Sequence, residues 1–241
     1  MIEDSAPGRL QRVKEAASVS SRFWRGFGHN GPRGPRDGPT ALVIPGFIAS
    51  DRTTMELRRA LAEAGFRVHP WRHGINWGAR ADTLEQLKRA VDLCGADQPM
   101  LIVGWSLGGL YAREIARAEP ERVRAVVTMG SPVWGDRRQY TNVWKLYERI
   151  AGHPVDKPPI PDSPEKPPVP TLAIWSRRDG IVAAPSARGT GETCSKSVEV
   201  NSTHMGFAVS KKGTRQAVAE IVKFLDECEG GWLVGGSGGV P

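Results

Sequence analysis

The sequence predicts an α/β fold, a mostly parallel sheet flanked by helices and carrying a small cap or lid insertion. Short runs of Val, Ile and Leu recur along the chain, which is typical of strands buried on both faces. Between these runs, apolar residues repeat at spacings of three and four, which is typical of amphipathic helices. Such alternation favours right-handed crossovers that place helices on both faces of a parallel sheet.

Each element follows from these two patterns. The apolar runs predict strands at 41–46, 67–71, 100–105, 123–130, 171–176 and 196–201. The helical spacing predicts helices at 54–64, 83–94, 107–118 and 214–228. Gly65 and Pro120 stand where the first and third of these helices should end.

Residues 135–170 interrupt the alternation, because they separate two predicted strands by far more than a usual connection. Residues 143–151 carry apolar side chains on one side of an amphipathic helix that should end at Gly152 and Pro154. The rest of the segment is too rich in proline for a helix or a central strand. A long insertion over a sheet is often a cap or lid, which is the expectation here.

The two ends differ in composition from the middle. Residues 1–39 are expected to form a basic extension with a short helix over 8–25, followed by a stretch dominated by Gly and Pro. Residues 40–228 hold the predicted α/β domain, and residues 229–241 form a Gly-rich tail that should be flexible.

The chain of 241 residues carries 33 Lys and Arg against 26 Asp and Glu, a net charge of +7. The basic residues are scattered and lack a zinc-finger or RNP pattern, so no nucleic-acid partner is expected. The alternative is weak binding to an anionic surface or nucleic acid through residues 9–36. Oligomeric state is left open.

Localisation is expected to be cytoplasmic. No run approaches the 18 apolar residues of a membrane-spanning helix, and the first ten residues have no apolar core of a signal peptide. The three cysteines form no CxxC pair, which weakly favours a reducing compartment.

Ser106 lies in Gly104-Trp105-Ser106-Leu107-Gly108, between a predicted buried strand and a predicted helix. This is the pattern of a nucleophile elbow, a turn so sharp that residues two positions either side must be small. The helix N-terminus then favours negative charge developing near the serine hydroxyl. The pattern predicts that Ser106 is a nucleophile.

A serine nucleophile needs a base and a carboxylate that orients the base. Asp179 and His204 each follow a predicted strand, at the sheet edge where Ser106 should lie. The chain order Ser106, Asp179, His204 also fits such a sheet. Asp136 is a weaker alternative for the acid. The other histidines are worse placed and should be structural: His29, His69, His73 and His153.

The tetrahedral intermediate of acyl transfer needs backbone donors for its oxyanion. The N–H of Leu107, directly after the serine, should be one donor. The turn after the first strand should supply the other, since Gly46 allows close approach of the backbone and Phe47 follows it. An ordinary Pro-Gly turn is the alternative.

Over residues 40–228 the sequence resembles the α/β-hydrolase family, within it the small bacterial lipases and carboxylesterases. The resemblance rests on four segments in order: Ile44 to Phe47, Gly104 to Gly109, Ser176 to Val182, and His204 to Gly206. It implies an oxyanion donor in the first segment and nucleophile, acid and base in the others. Pro45 departs from the family, in which many members have His before the glycine. The first antiparallel strands of the full fold are not visible in residues 1–39, so a trimmed sheet is expected.

These residues predict a serine carboxylesterase or lipase for short- to medium-chain acyl esters, acting through an acyl-enzyme on Ser106 without cofactor or metal. Trp134, Trp144 and Tyr147 are candidates for an apolar wall of the acyl site, and Trp71 and Trp77 could also line the cleft. The alternatives are acyl transfer, amidase or thioesterase activity from the same residues, or a non-catalytic hydrolase-like binding protein.

Overall fold

The computed structural model describes residues 6–8 and 34–229. The strands are β1 (Thr40–Ile44), β2 (Arg67–Pro70), β3 (Met100–Trp105), β4 (Val123–Met129), β5 (Thr171–Trp175) and β6 (Lys196–Glu199). The helices are α1 (Met55–Glu63), α2 (Thr83–Asp92), α3 (Leu107–Ala118), α4 (Arg137–Tyr140), α5 (Trp144–Ala151), α6 (Ala184–Arg188), α7 (Gly206–Val209) and α8 (Lys211–Glu229), with a 3-10 turn at Pro120–Arg122.

The strands form one sheet in the order β2-β1-β3-β4-β5-β6, and every pair among the described strands is parallel. The predicted fold class is therefore confirmed, and each strand lies within two residues of its predicted limits. Because all strands run the same way, their carboxyl ends lie at one edge, and the loops after them can meet there.

Two hydrophobic layers cover the two faces of the sheet. On β3, Leu101 and Val103 belong to the layer that contains α1 and α8 side chains, whereas Met100 and Ile102 belong to the layer of α2 and α3. This alternation is the period-2 geometry of a strand buried on both sides. The continuous apolar runs of the sequence thus reflect two cores rather than one.

The helices agree with the apolar spacing where that spacing extends over two turns or more. α1, α2 and α3 lie within the predicted ranges, and α5 covers the predicted amphipathic segment and ends at Gly152 in the left-handed conformation, with φ of 80°. α8 begins at Lys211, three residues before its predicted start. The short helices α4, α6 and α7 were not predicted, because four or five residues show no periodicity.

Three predictions fall wholly or mainly outside the described residues: the helix over 8–25, the basic surface of residues 9–36 and the tail of 229–241. The proposed trimming of the sheet also depends on residues before 34. Within 6–8 and 34–229, no helix combines the length and apolar character needed to cross a membrane.

The insertion contains α4, α5 and a proline-rich strap, which we define as residues 152–170. Arg113 of α3 fastens the strap to the domain. Its buried guanidinium donates to the carbonyl oxygens of Pro164 (2.8 Å), Glu165 (2.7 Å) and Thr193 (2.6 Å). Burial lowers the pKa of Arg113 to about 10, so the side chain remains charged at neutral pH.

Replacing Arg113 with Ala is expected to lower the free energy of unfolding by about 3 kcal/mol, because three carbonyl oxygens lose a charged donor. Arg215→Ala is the matched control. Arg215 is exposed and pairs with Glu63 at 3.3 Å on the surface, so its loss should cost no more than about 0.5 kcal/mol. Urea unfolding of both variants measures the difference. Equal losses would contradict the role assigned to Arg113.

Candidate active site

Ser106 forms the turn between β3 and α3 in a strained backbone conformation, with φ of 56° and ψ of −123°. A Cβ on Gly104 would lie 2.2 Å from the carbonyl oxygen of Gly108. A Cβ on Gly108 would lie 2.3 Å from the carbonyl oxygen of Ile44. Both glycines are thus required by backbone contact, which is the constraint expected of a nucleophile elbow.

Asp179 and His204 form a buried pair beyond the ends of β5 and β6. Oδ2 of Asp179 lies 2.8 Å from Nδ1 of His204. Oδ1 of the same carboxylate accepts the backbone N–H groups of Ile181 and Val182, each at 2.8 Å. The carboxylate is therefore held by two fixed donors while its other oxygen faces the imidazole.

The Asp179–His204 pair lies beside the turn that carries Ser106. Trp105, the residue before the serine, donates its indole N–H to the carbonyl oxygen of His204 at 3.0 Å. The Trp105 and His204 rings pack with centroids 5.5 Å apart. The structure thus brings the loops after β3, β5 and β6 together at the carboxyl edge of the sheet.

Gly130, which directly follows β4, leaves room for this pair. It has φ of 57°, and a Cβ there would lie 2.8 Å from Oδ2 of Asp179 and 3.1 Å from Nδ1 of His204. Each of four adjacent strands, β3 to β6, therefore contributes a loop residue to this small region.

The loop after β1 packs directly against the serine turn. A Cβ on Gly46 would lie 2.8 Å from Cβ of Ser106, so this position also requires glycine. Phe47 follows, and the next residue, Ile48, has a positive φ of 56°. Phe47 and Leu107 line the same cleft, so the structure brings the two residues predicted to carry oxyanion donors to one place.

Asn76 fixes this loop and was missed by sequence reasoning. Its buried side chain donates to the carbonyl oxygen of Pro45 at 2.9 Å. Its backbone N–H donates to Ala49 (2.8 Å), and its backbone carbonyl accepts from Ile48 (2.7 Å). One asparagine between Gly74 and Gly78 forms no recognisable sequence motif, so its role is visible only from its contacts in the folded chain.

An apolar cleft of about 640 Å³, including its part open to solvent, adjoins the serine turn. Of the aromatic residues predicted for the acyl wall, Trp144 and Tyr147 line this cleft. The Tyr147 ring packs edge-on against Phe47, with centroids 5.1 Å apart. Trp134 is not among the lining residues and packs on Tyr140 instead.

The two earlier tryptophans lie elsewhere. Trp71 is buried and donates its indole N–H to the carbonyl oxygen of Gly74 at 3.0 Å, which suits a structural role. Trp77 is exposed at the surface. Neither residue lines the cleft beside the serine turn.

The remaining histidines have other surroundings. His69 lies within β2, and the His73 ring packs edge-on against Trp71. The ring nitrogens of His153 lie near the carbonyl oxygens of Pro154 (2.9 Å) and Ala79 (3.1 Å). His29 is outside the described residues.

Asp136, the alternative acid, caps α4 by accepting the N–H of Arg138 at 2.8 Å. Its carboxylate is therefore engaged in holding a helix N-terminus. In the part of the chain that the structure describes, no group of three His, Cys, Asp or Glu residues is placed to hold a metal ion.

Substituting Gly130 with Ala tests how tightly the Asp179–His204 pair is packed. Ala at the positive φ of Gly130 costs about 1–2 kcal/mol, and we expect roughly 1–3 kcal/mol more from the crowding of both side chains. Gly95→Ala is the control, because Gly95 has φ of 55° and open space around the added Cβ. Urea unfolding compares the two, and equal destabilisation would argue against close packing at Gly130.

A family model described as the alpha/beta hydrolase fold matches residues 24–148, just over half of the chain. A curated relative, pimeloyl-acyl-carrier-protein methyl ester esterase of Salmonella heidelberg (strain SL476), is 44% identical over 59 residues. That match covers 24% of this chain and 23% of the relative, so the chain spans about a quarter of the length of the curated relatives it matches.

Two solved structures share the fold over most of their length. An alpha/beta hydrolase enzyme from the metagenome of lagoon sediments at Mar Chica, Morocco, has 19% identity and a TM-score of 0.57, covering 84% of this chain and 98% of that one. The naproxen esterase (carboxylesterase NP) of Bacillus subtilis has 16% identity and a TM-score of 0.54, with coverage of 78% and 85%.

Proposed function

The chain belongs to the alpha/beta hydrolase family, and from this premise we propose that it is a serine carboxylesterase that cleaves short- to medium-chain acyl esters. Ser106 is the proposed nucleophile, His204 the base and Asp179 the orienting acid. The observation that carries the proposal is the buried Asp179–His204 hydrogen bond of 2.8 Å beside the strained serine turn.

The carboxylate determines which imidazole nitrogen does the chemistry. Because Nδ1 of His204 faces Asp179, Nδ1 carries the proton and Nε2 is the nitrogen that takes the serine proton. The two backbone donors to Oδ1 keep the Asp179 carboxylate oriented, so that it stabilises the imidazolium that forms. The carboxylate itself takes no proton.

The reaction then runs in two halves. Oγ of Ser106 bonds to the ester carbonyl carbon while Nε2 of His204 takes its proton, and the same proton passes to the leaving alcohol as the C–O bond breaks. Water attacks the resulting acyl-enzyme, again giving a proton to Nε2, and that proton returns to Oγ as the acid leaves. The N–H groups of Phe47 and Leu107 are the proposed donors to the oxyanion in both halves.

The cleft supports the proposed substrate class. Phe47, Trp144 and Tyr147 give it an apolar wall, which suits an alkyl chain. The matching segment of the pimeloyl methyl ester esterase, an enzyme named for ester cleavage, adds support for an ester rather than an amide.

Ser106→Ala is expected to lower kcat/KM for p-nitrophenyl butyrate by about 10⁴-fold or more, because the nucleophile is removed. Ser131→Ala is the control, since the buried Ser131 hydroxyl has no hydrogen-bond partner among the described residues. The control should keep its activity within about threefold. Full activity in Ser106→Ala would disprove the proposed nucleophile.

A panel of p-nitrophenyl ester, thioester and anilide substrates of one acyl chain separates the alternatives. We expect the highest kcat/KM for the ester. A larger value for the thioester or the anilide would instead assign thioesterase or amidase activity to the same residues.

Asn76→Ala tests the proposed oxyanion loop. Loss of the Asn76 contact to Pro45 frees the segment that carries the Phe47 N–H, so kcat should fall about tenfold while KM changes little. Asn201→Ala is the control, because Asn201 is exposed and accepts only from the Arg178 side chain among the bonds described for it. An unchanged kcat in folded Asn76→Ala would rule out this role.

A further inference from the structure

Most of the exposed large apolar side chains lie at one end of the molecule. Among the described residues, five of the six belong to loops that follow β1, β2 and β4 or to α5 of the insertion: Ile48, Ile75, Trp77, Trp134 and Leu146. The sixth, Leu93, follows the carboxyl end of α2, near the opposite edge of the sheet. Single exposed apolar residues are ordinary, whereas a one-sided set marks a contact surface.

Ile48, Ile75 and Trp77 form one patch, which we call the apolar rim. Their loops are joined by main-chain hydrogen bonds, from the N–H of Ile48 to the carbonyl oxygen of Asn76 (2.7 Å) and from the N–H of Asn76 to the next residue of the β1 loop (2.8 Å). Asn76 is buried, whereas Ile75 and Trp77 on either side of it are each 44% exposed and Ile48 is 42% exposed. Ile48 directly follows Phe47, which lines the cleft, so the apolar rim lies beside the cleft.

Exposed cations accompany the apolar rim. Arg72 and Arg80 belong to the loop after β2, and residues 71–80 include no acid. Both arginines are exposed, and neither forms an ion pair with the residues that the structure describes. The loop that supplies most of the apolar rim is therefore positively charged.

Helix α5 adds two more cations beside this loop. A Cβ on Gly78 would lie 2.7 Å from Cβ of Ala151, so the loop and the helix are in contact. Lys145 and Arg149 are exposed on α5, and neither forms an ion pair in the part of the chain that the structure describes.

The acids of these segments are engaged by other groups. The carboxylate of Asp51 accepts the backbone N–H groups of Trp71 and Arg72, each at 3.1 Å. Glu148 of α5 forms an ion pair of 2.9 Å within the insertion. The loops of the apolar rim and α5 thus present more cations than free carboxylates, which suits an anionic partner.

A lipid surface fits these features better than an acidic protein does. Each partner in a stable protein complex buries about 800 Å², which is far more than three side chains can offer. A bilayer interface, in contrast, takes up single tryptophan and aliphatic side chains. Its anionic headgroups also attract arginine and lysine that lie next to the inserted residues.

We propose that the apolar rim docks this protein on an anionic lipid surface, with its three side chains at the acyl boundary and the four cations among the headgroups. Docking of this kind turns Phe47 and the cleft toward the lipid, so a substrate dissolved in the bilayer can reach the cleft directly. The inference goes beyond the proposed esterase function and does not depend on it, because binding requires no turnover.

Sedimentation of the full chain with lipid vesicles tests the inference. The vesicles are phosphatidylcholine alone, or phosphatidylcholine with about one third phosphatidylglycerol as the anionic lipid. We expect the wild-type protein to bind the anionic vesicles at least about tenfold more tightly than the neutral ones, with a preference that shrinks as salt is added.

Two double variants separate the apolar and the charged contributions. Ile75→Ser with Trp77→Ser should weaken binding to the anionic vesicles about tenfold, because two half-exposed apolar side chains are lost from the interface. Arg72→Gln with Arg80→Gln should also weaken it about tenfold, while binding to neutral vesicles stays unchanged. Circular dichroism checks that each variant is folded.

The matched control is Leu93→Ser with Arg89→Gln. These two exposed residues also combine an apolar side chain with a cation, but they lie at the carboxyl end of α2, near the opposite edge of the sheet. The control should bind both kinds of vesicle as the wild-type protein does.

Trp77→Phe reports directly on insertion. It keeps an apolar ring, so binding should stay within about threefold. Quenching of tryptophan fluorescence by brominated acyl chains should fall, because the inserted indole is gone. Unchanged quenching in this variant would show that Trp77 stays outside the bilayer and would overturn the inference.

Absence of vesicle binding by the wild-type protein would also overturn it. Binding that survives in both double variants would assign lipid contact to other residues, such as 9–36, and not to the apolar rim. Retention on immobilised polyglutamate without any binding to vesicles would assign the surface to an acidic protein instead.

Discussion

A single buried carboxylate, that of Asp179, organises the carboxyl edge of the sheet. Two backbone N–H groups from the loop after β5 hold one of its oxygens, and the His204 imidazole faces the other. Because those donors belong to the backbone, the carboxylate cannot turn away without leaving two N–H groups unpaired. The indole of Trp105 then links the histidine to the strand that ends at the serine turn. The site therefore derives its geometry from the parallel order of β3, β4, β5 and β6.

Helix α3 connects this edge with the insertion above it. It begins directly after Ser106, and two turns later Arg113 holds the strap through the carbonyl oxygens of Pro164 and Glu165. Arg137 and Arg138 in turn join α4 to the strap and to α5 by ion pairs. The serine turn, one wall of the cleft and the attachment of the strap are thus connected through α3.

The strands, the longer helices and the serine turn could be predicted because each has a local pattern. For the strands it is a run of apolar residues, for the helices the spacing of apolar residues, and for the turn the glycines on either side of Ser106. The positions of Asp179 and His204 followed from the rule that parallel strands end at one edge. Asn76, Arg113 and Arg137 could not be found in this way. Each acts across at least 18 residues of sequence on a carbonyl oxygen or a carboxylate, and such contacts leave no periodic trace in the chain. The four- and five-residue helices escaped prediction for a related reason, since they are too short to repeat a pattern.

The hydrogen bonds from Arg113 to main-chain oxygens of the strap have a consequence for sequence variation. The guanidinium bonds to main-chain oxygens, which every residue type has. Substitutions at Pro164 or Glu165 therefore leave these acceptors in place. Residues such as Ile160, which line the apolar cleft, can then vary without loosening the attachment. The proposed acyl site can therefore change its shape through side-chain substitutions in the strap, while the main-chain attachment to Arg113 is kept.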